Sequence, residues 1–476
     1  MAKTFAASWS EVPKNLLEDI FERLFLGDHL GFSSVCSSWR SACVENRYLP
    51  SRCVGLIVPG EIPDSETRRL LEPVQGEYNN NNNPINVPVP HRYHCCGTSF
   101  GWLVLIDDDL DMQLLNPITG AKIELSSGTT LVSPSTKWGF EKFGKHFVRK
   151  AVLSCDPACS TSETTVFVIC GGYCLAFSRP ADKSWRVIAK GEHGSGPGLR
   201  EYCDAIFHKD KFYVVYNSPP PPGGVLTCDL SDTDNPIVAD YAPSPRCEIF
   251  NMTRYLVESN GELFQLRRHF TYDLERPYND IDSDCDDFHC DGGCGEVTQN
   301  DEAHDGDDRD EVNQNDEVHK GTDSNNDRGE VNQNDEVVEG GENDDDRDGV
   351  ESDESEGESD FNELARRYRT SRFKVYKLID CGGYHARKWK KVKIIGDKAF
   401  FVGKNSSFSL STSDYLGCKP NSIYFTDCKT LHKASLEPIR HDVSIFNMED
   451  KSIQNIYPLD SKPMRPSAFW FTPIPW

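Results

Sequence analysis

GYCLAFSRPADKSWRVI, residues 172–188, runs from an apolar β-prone stretch through a polar turn to a tryptophan and a β-branched ending. FKVYKLIDCGGYHARKWKKVKII, residues 373–395, repeats that order. A strand, a turn and a returning strand that recur in one chain predict repeated antiparallel units, as in the blades of a propeller. The period is too irregular to count the units, so a β-sandwich remains the second architecture.

Working outward, short apolar runs alternate with Gly, Pro, Asn and Asp. They include FGWLVLID (100–107), MQLLNPITG (112–120), TTVFVIC (164–170), DKFYVVYN (210–217), RYLVES (254–259) and GELFQL (261–266). Residues 373–476 continue the pattern through KAFFVG, SIYFTD, VSIFNM and SAFWFTP. Runs of this length, punctuated this often, predict an all-β body. Trp102, Trp185 and Trp389 are then expected to pack between blades, since large aromatics dominate such cores. Residues 51–94 contain NNNNNPINVPVP and read as a polar, proline-rich linker.

The formal charge of -25 belongs to one segment. Between Asp280 and Asp360 there are 33 acidic and 4 basic residues, which leaves 43 acidic and 47 basic elsewhere. EVTQNDEAH (296–304), EVNQNDEVH (311–319) and EVNQNDEVV (330–338) are near-copies within it. Too polar to bury a core, the segment is expected to be a disordered insertion within the β domain, because strand patterns resume at Phe373. A tolerated repeat expansion is the plain reading, and an electrostatic contact with a basic partner is the alternative. Ser355, flanked by acidic residues, is a candidate phosphorylation site. Cys285, His289, Cys290 and Cys294 lack the paired spacing of a zinc site, so no metal or other cofactor is assigned.

The N-terminal stretch VPKNLLEDIFERLFLGDHLGFSSVCSSWRSAC, residues 12–43, reads differently. Pro13 suits a helix start, and Leu16, Leu17, Ile20 and Leu24 fall on one face of a 3.6-residue repeat. Gly27 and Asp28 separate this from a short second helix through Val35, and a third carries Cys36 and Trp39. About 40 residues cannot bury so much apolar surface internally, so the module is expected to dock on a partner.

The order of these signals resembles the F-box: Val12-Pro13, an L-L-x-x-I-x-x-x-L helix, then VCSSWR at 35–40. The resemblance covers roughly residues 9–50 and implies binding to a Skp-type adaptor, and through it to a cullin-RING ubiquitin ligase. Pro13, Leu16, Leu17, Ile20, Leu24, Val35, Cys36 and Trp39 would then form or support the adaptor-facing surface. Val12 departs from the leucine more usual in that family.

The body resembles a plant family in which an F-box precedes a domain of unknown function numbered 295, related to kelch-like propellers. GTSFGWLVLID (97–107), LLNPITG (114–120), YCDAIFHKDKFYVV (202–215), KPNSIYFTD (419–427) and YPLDSKPMRPSAFWFTPIPW (457–476) carry that resemblance. It implies that the β domain binds a target protein, of unstated identity.

The fold expected overall is α+β: a three-helix module at 9–50, a linker at 51–94, and a propeller-like β domain. That domain spans 95–279 and 361–476, divided by a disordered acidic insertion at 280–360. The function expected is that of a non-catalytic ubiquitin-ligase substrate receptor. The alternative is an adaptor-bound scaffold without a degradation role. An enzyme is not expected, because HExxH, GxGxxG and a Gly-rich phosphate loop are all missing from the sequence.

With no secretory start in MAKTFAASWSEVPKN and no apolar run near the ~18 residues that span a bilayer, the expected location is cytoplasmic or nuclear. There the 18 cysteines are expected to stay reduced, and neither membrane nor nucleic acid is expected as a partner. The basic run RKWKKVK (387–393) reads as a solvated strand face.

Overall fold

A computed structural model of the chain describes residues 9–45, 54–272 and 368–473, less 22–23, 25–31, 33–34, 61, 63, 73–83, 134–135, 191–199, 218–222, 246–251, 381–386, 416, 429–440 and 457–465. The chain divides into two units, Met1–Asn279 with Glu356–Trp476, and Asp280–Ser355. The second unit, with Ser355 and the Cys285 to Cys294 cluster, lies outside the described residues.

Among the described residues the strands pair into six sheets, five of four strands and one of five. Each of six hydrophobic cores is shared by two successive sheets, and the sixth core joins the last sheet back to the first. Six sheets linked face to face in a closed cycle make a six-bladed propeller, which displaces the sandwich alternative.

Alternation within single strands builds this arrangement. In Trp102–Ile106 of blade 2 every residue is buried. Trp102, Val104 and Ile106 face the core shared with blade 3, while Leu103 and Leu105 face the core shared with blade 1. In Lys398–Gly403 of blade 6, Phe400 and Val402 face blade 5 while Ala399 and Phe401 face blade 1. A strand buried on both faces reads as a continuous apolar run, which is how WLVLI and AFFV read in the sequence.

Blade 1 is closed by residues distant in sequence. Phe469–Phe471 pairs antiparallel with Gly55–Pro59, placing Trp470 opposite Leu56. Strands at Gly55–Pro59, Arg68–Leu71 and Ile85–Val87 therefore correct the expectation of a linker over 51–94. The polar, proline-rich composition belongs to the connections. The short runs GLIV and RRLL are strands because neighbouring blades cover both their faces.

Blade 5 receives the acidic segment. Glu262–Tyr272 pairs with Tyr368–Ile379, and the register extends to Tyr272 opposite Tyr368. Residues 273–367 thus depart from and return to one hairpin.

The two stretches that suggested repetition occupy equivalent places. Cys174–Ser178 with Arg186–Lys190, and Tyr368–Ile379 with Lys388–Val392, are the third and outermost strands of blades 3 and 5. Their tryptophans make the same tie to the preceding blade. Trp185 Nε1 donates to the Ser126 carbonyl at 2.8 Å, and Trp389 Nε1 donates to the Pro243 carbonyl at 2.7 Å. Trp102 packs in the same core as Trp185 and donates to Asp156 Oδ1 at 3.0 Å.

Candidate functional site

The helical module places a helix at Lys14–Phe21 and another at Ser37–Glu45, preceded by a single 3-10 turn at Trp9–Glu11. Phe32 and Val35 also have helical backbone, and most of the stretch around them lies outside the described residues. The Pro13 carbonyl accepts the Leu16 and Leu17 N–H groups at 3.0 and 3.2 Å, so the helix begins immediately after the proline.

Inside the module Leu17, Phe32 and Ala42 are buried, with Val12, Ile20, Leu24 and Trp39 packed against them. The Trp39 ring lies 4.3 Å from that of Phe32 and meets Trp9 edge-on at 6.4 Å. Its Nε1 donates to the Trp9 carbonyl at 2.8 Å, and Ser38 Oγ donates to the Ser10 carbonyl at 3.2 Å. These two bonds clasp the N-terminal turn to the second helix.

The residues singled out from sequence therefore fall into two groups. Leu17, Ile20, Leu24 and Trp39 turn inward and hold the helices together. Pro13, Leu16 and Val35 turn outward, with Leu16 48% and Val35 53% exposed. Cys36 sits between the groups, and its thiol is held below the usual range chiefly by the Ser38 hydroxyl at 3.2 Å. Trp9, 70% exposed, is another large apolar side chain on the outside of the module and was not among the residues read from sequence. An aromatic four residues before a helix-starting proline was the available signal.

A second concentration of chemistry lies where the blades meet at their innermost strands. Lys150 of blade 3 and Asp204 of blade 4 form an ion pair at 2.6 Å, with both side chains 3% exposed. Asp204 Oδ2 also accepts from Ser407 Oγ of blade 6 at 2.7 Å and from the Leu256 N–H of blade 5 at 2.9 Å. Its Oδ1 accepts from the Ala205 N–H at 2.9 Å. Thr98 of blade 2 continues the network, its N–H donating to the Asn405 carbonyl and its hydroxyl to the Trp470 carbonyl of blade 1, both at 3.2 Å.

Residues of all six blades thus take part in polar contacts at the inner strands. With its lone pairs filled, Asp204 is satisfied where it is and is poorly placed for proton transfer. The arrangement ties the blades together at their inner strands.

Among the described residues no group of three or more His, Cys, Asp and Glu side chains is placed to hold a metal ion. No helix there is long and apolar enough to cross a membrane. The described cysteines are free thiols.

Comparison with known proteins follows the same division of the chain. Residues 9–49 match the F-box domain model, and residues 75–447 match the model described as the KIB1-4 β-propeller. The F-box protein SKIP23 of Arabidopsis thaliana is 24% identical over 495 residues, covering 98% of this chain and 95% of its own. The F-box protein At2g17690 of the same plant is 39% identical over 85 residues, covering 18% of this chain and 17% of its own. Among solved structures, YjhT aligns with a TM-score of 0.25 at 10% identity over 67% of each chain, a likeness too slight to add to the strand pairing.

Proposed function

Since the chain belongs to the KIB1-4 β-propeller family and carries an F-box domain at its N-terminal end, we propose that it is the substrate-recognition subunit of an SCF-type cullin-RING ubiquitin ligase. The F-box docks on a Skp-type adaptor, and the propeller holds a target protein. Catalysis by this chain is not required. Holding the target close to a charged ubiquitin-conjugating enzyme raises its effective concentration, and that proximity is the mechanism.

The observation that carries this reading is the near end-to-end alignment with an F-box protein, 98% of one chain against 95% of the other. The outward Leu16, Val35 and Trp9 support it, because exposed aliphatic and aromatic anchors are what a helix-in-groove partner buries.

The test is co-purification of a Skp-type adaptor with the full chain and with a Leu16→Asp, Val35→Asp double variant. Both positions are solvent-facing, so the variant keeps its fold while losing the apolar anchors. Adaptor retained by the wild type and lost by the variant supports the receptor reading. Equal retention by both, or by neither, overturns the assignment of this face. Target turnover then separates a receptor from a scaffold, since a scaffold leaves the lifetime of its partner unchanged.

A further inference from the structure

Positive charge gathers where the inner strands of blades 2 and 3 begin. His94 opens the strand His94–Ser99, and His146 stands two residues before Val148–Leu153. Their rings lie 4.6 Å apart at 61°. Lys145 donates to Asp108 Oδ2 at 2.9 Å and also to the Arg92 carbonyl. Lys404, in the turn leading to the inner strand of blade 6, bears on both imidazoles. Next to Tyr93, the residue before His94, Arg68 of blade 1 is 1% exposed. It donates to the carbonyls of Tyr93 at 2.5 Å and Pro90 at 3.3 Å, and lies over the Phe469 ring.

Arg68 has no carboxylate in salt-bridge range among the described residues, and its Nε has no hydrogen-bond partner. Burial pushes the Arg68 guanidinium down to about 10, which still leaves it charged at neutral pH. Asp108, the carboxylate that bears on His146, is already engaged by Lys145, and no carboxylate bears on His94. A buried, unpaired cation is costly, and an external anion relieves that cost. Imidazole and ammonium N–H groups supply donors suited to oxygen. Two histidines alone, ringed by cations, suit a metal ion poorly.

We propose that this cluster binds a tetrahedral oxyanion, a phosphate group, seated against His94, His146 and Lys404 near the positive charge of Arg68. The phosphate is either free or carried on a side chain of a partner protein. The site belongs to the propeller and is independent of adaptor binding, which the Leu16 and Val35 variants report separately.

The pH dependence follows from the groups facing the rings. Loss of water, then His146, Lys404, Arg68 and Lys145, hold His94 well below the usual histidine range. Loss of water, then Lys145 and Lys404, hold His146 below it, against the opposing pull of Asp108. Both rings are neutral at pH 7, and a bound dianion favours their protonation, so binding takes up protons and strengthens as pH falls.

Titration calorimetry of the full chain with sulfate, a dianion throughout this range, tests the proposal. Saturable binding is expected, about tenfold tighter at pH 6 than at pH 8. His146→Gln is expected to weaken it about fivefold, with the anion-free protein still folded by its thermal midpoint. Asp108→Asn is expected to strengthen it, because the competing carboxylate is gone. Absence of saturable binding, or affinity indifferent to both variants, overturns the site. A short neutral phosphoserine peptide binding more tightly than inorganic phosphate identifies a chain-borne group as the source, and the reverse order identifies free phosphate.

Discussion

The helical module and the propeller solve the same burial problem in opposite ways. Leu17, Phe32 and Ala42 form the buried centre of the module while Leu16, Val35 and Trp9 face outward. In the propeller each sheet contributes to two cores, and even the charged Lys150 and Asp204 are paired out of reach of water. One region leaves large apolar side chains outside, and the other covers nearly all of them between its sheets. A buried change in the propeller should therefore cost stability, while an outward change in the module should cost a partner.

Asp204→Ala should test that contrast most severely. It leaves Lys150 buried without its counter-charge, which costs about 3–5 kcal/mol, read as a lower thermal midpoint by tryptophan fluorescence. Replacing both partners, Lys150→Met with Asp204→Leu, should recover most of that loss. If the single variant unfolds at the wild-type temperature, the inner network is not what ties the blades together.

Next come two neighbouring leucines. Leu17→Ala removes a side chain only 1% exposed and should destabilise the module by about 2–5 kcal/mol, seen as protease sensitivity confined to its helices. Leu16→Asp, one residue earlier, should change stability by less than ~0.5 kcal/mol and still abolish adaptor retention. Equal protease sensitivity in the two variants would break the division into inward and outward residues.

A smaller effect sharpens the comparison between blades. Trp389→Phe leaves the Pro243 carbonyl without its donor and should cost about 1–3 kcal/mol, as should Trp185→Phe at the Ser126 carbonyl. Similar losses would show that the two ties are equivalent parts of a repeated blade.

The smallest effect concerns the surface. Ser231 first, then Lys211, hold the Asp229 carboxyl down at about 2. Its stabilising contribution is present above its unfolded value, near 3.9, and is lost as pH falls toward 2. Because the pair is partly exposed, Asp229→Asn should cost less than ~1 kcal/mol at pH 7, with the difference from wild type closing between about pH 4 and 2.

Many strands of blades 2 to 6 were legible as apolar runs because both their faces are covered, whereas the exposed Lys122–Glu124 and Ile237–Ala242 lack that cover and were not read. The repetition of tryptophan after a polar turn pointed to blades, and equivalent hydrogen bonds now account for it. The first three strands of blade 1 were missed, because they are short and their closing partner, Phe469–Phe471, though read as a strand, lies at the other end of the sequence. The inner network was illegible for a related reason. Lys150, Asp204 and Ser407 are single polar residues in the unrelated stretches VRKAVL, YCDAIFH and SFSLS, and only the ring brings them together. In the module the helical period identified the apolar set but could not divide inward from outward, because that depends on how the helices cross.

The pairing of Leu56 with Trp470 has a consequence for synthesis. As the chain leaves the ribosome, the first blade emerges early and then waits roughly 400 residues for its fourth strand, a contact of very long sequence separation. Throughout that interval the helical module can already fold, whereas the ring stays open with the faces of its first and sixth blades uncovered. On the receptor reading proposed above, a message truncated before Phe469 would yield a polypeptide that keeps the adaptor-facing module while lacking a finished platform for cargo, an inhibitor of its own pathway.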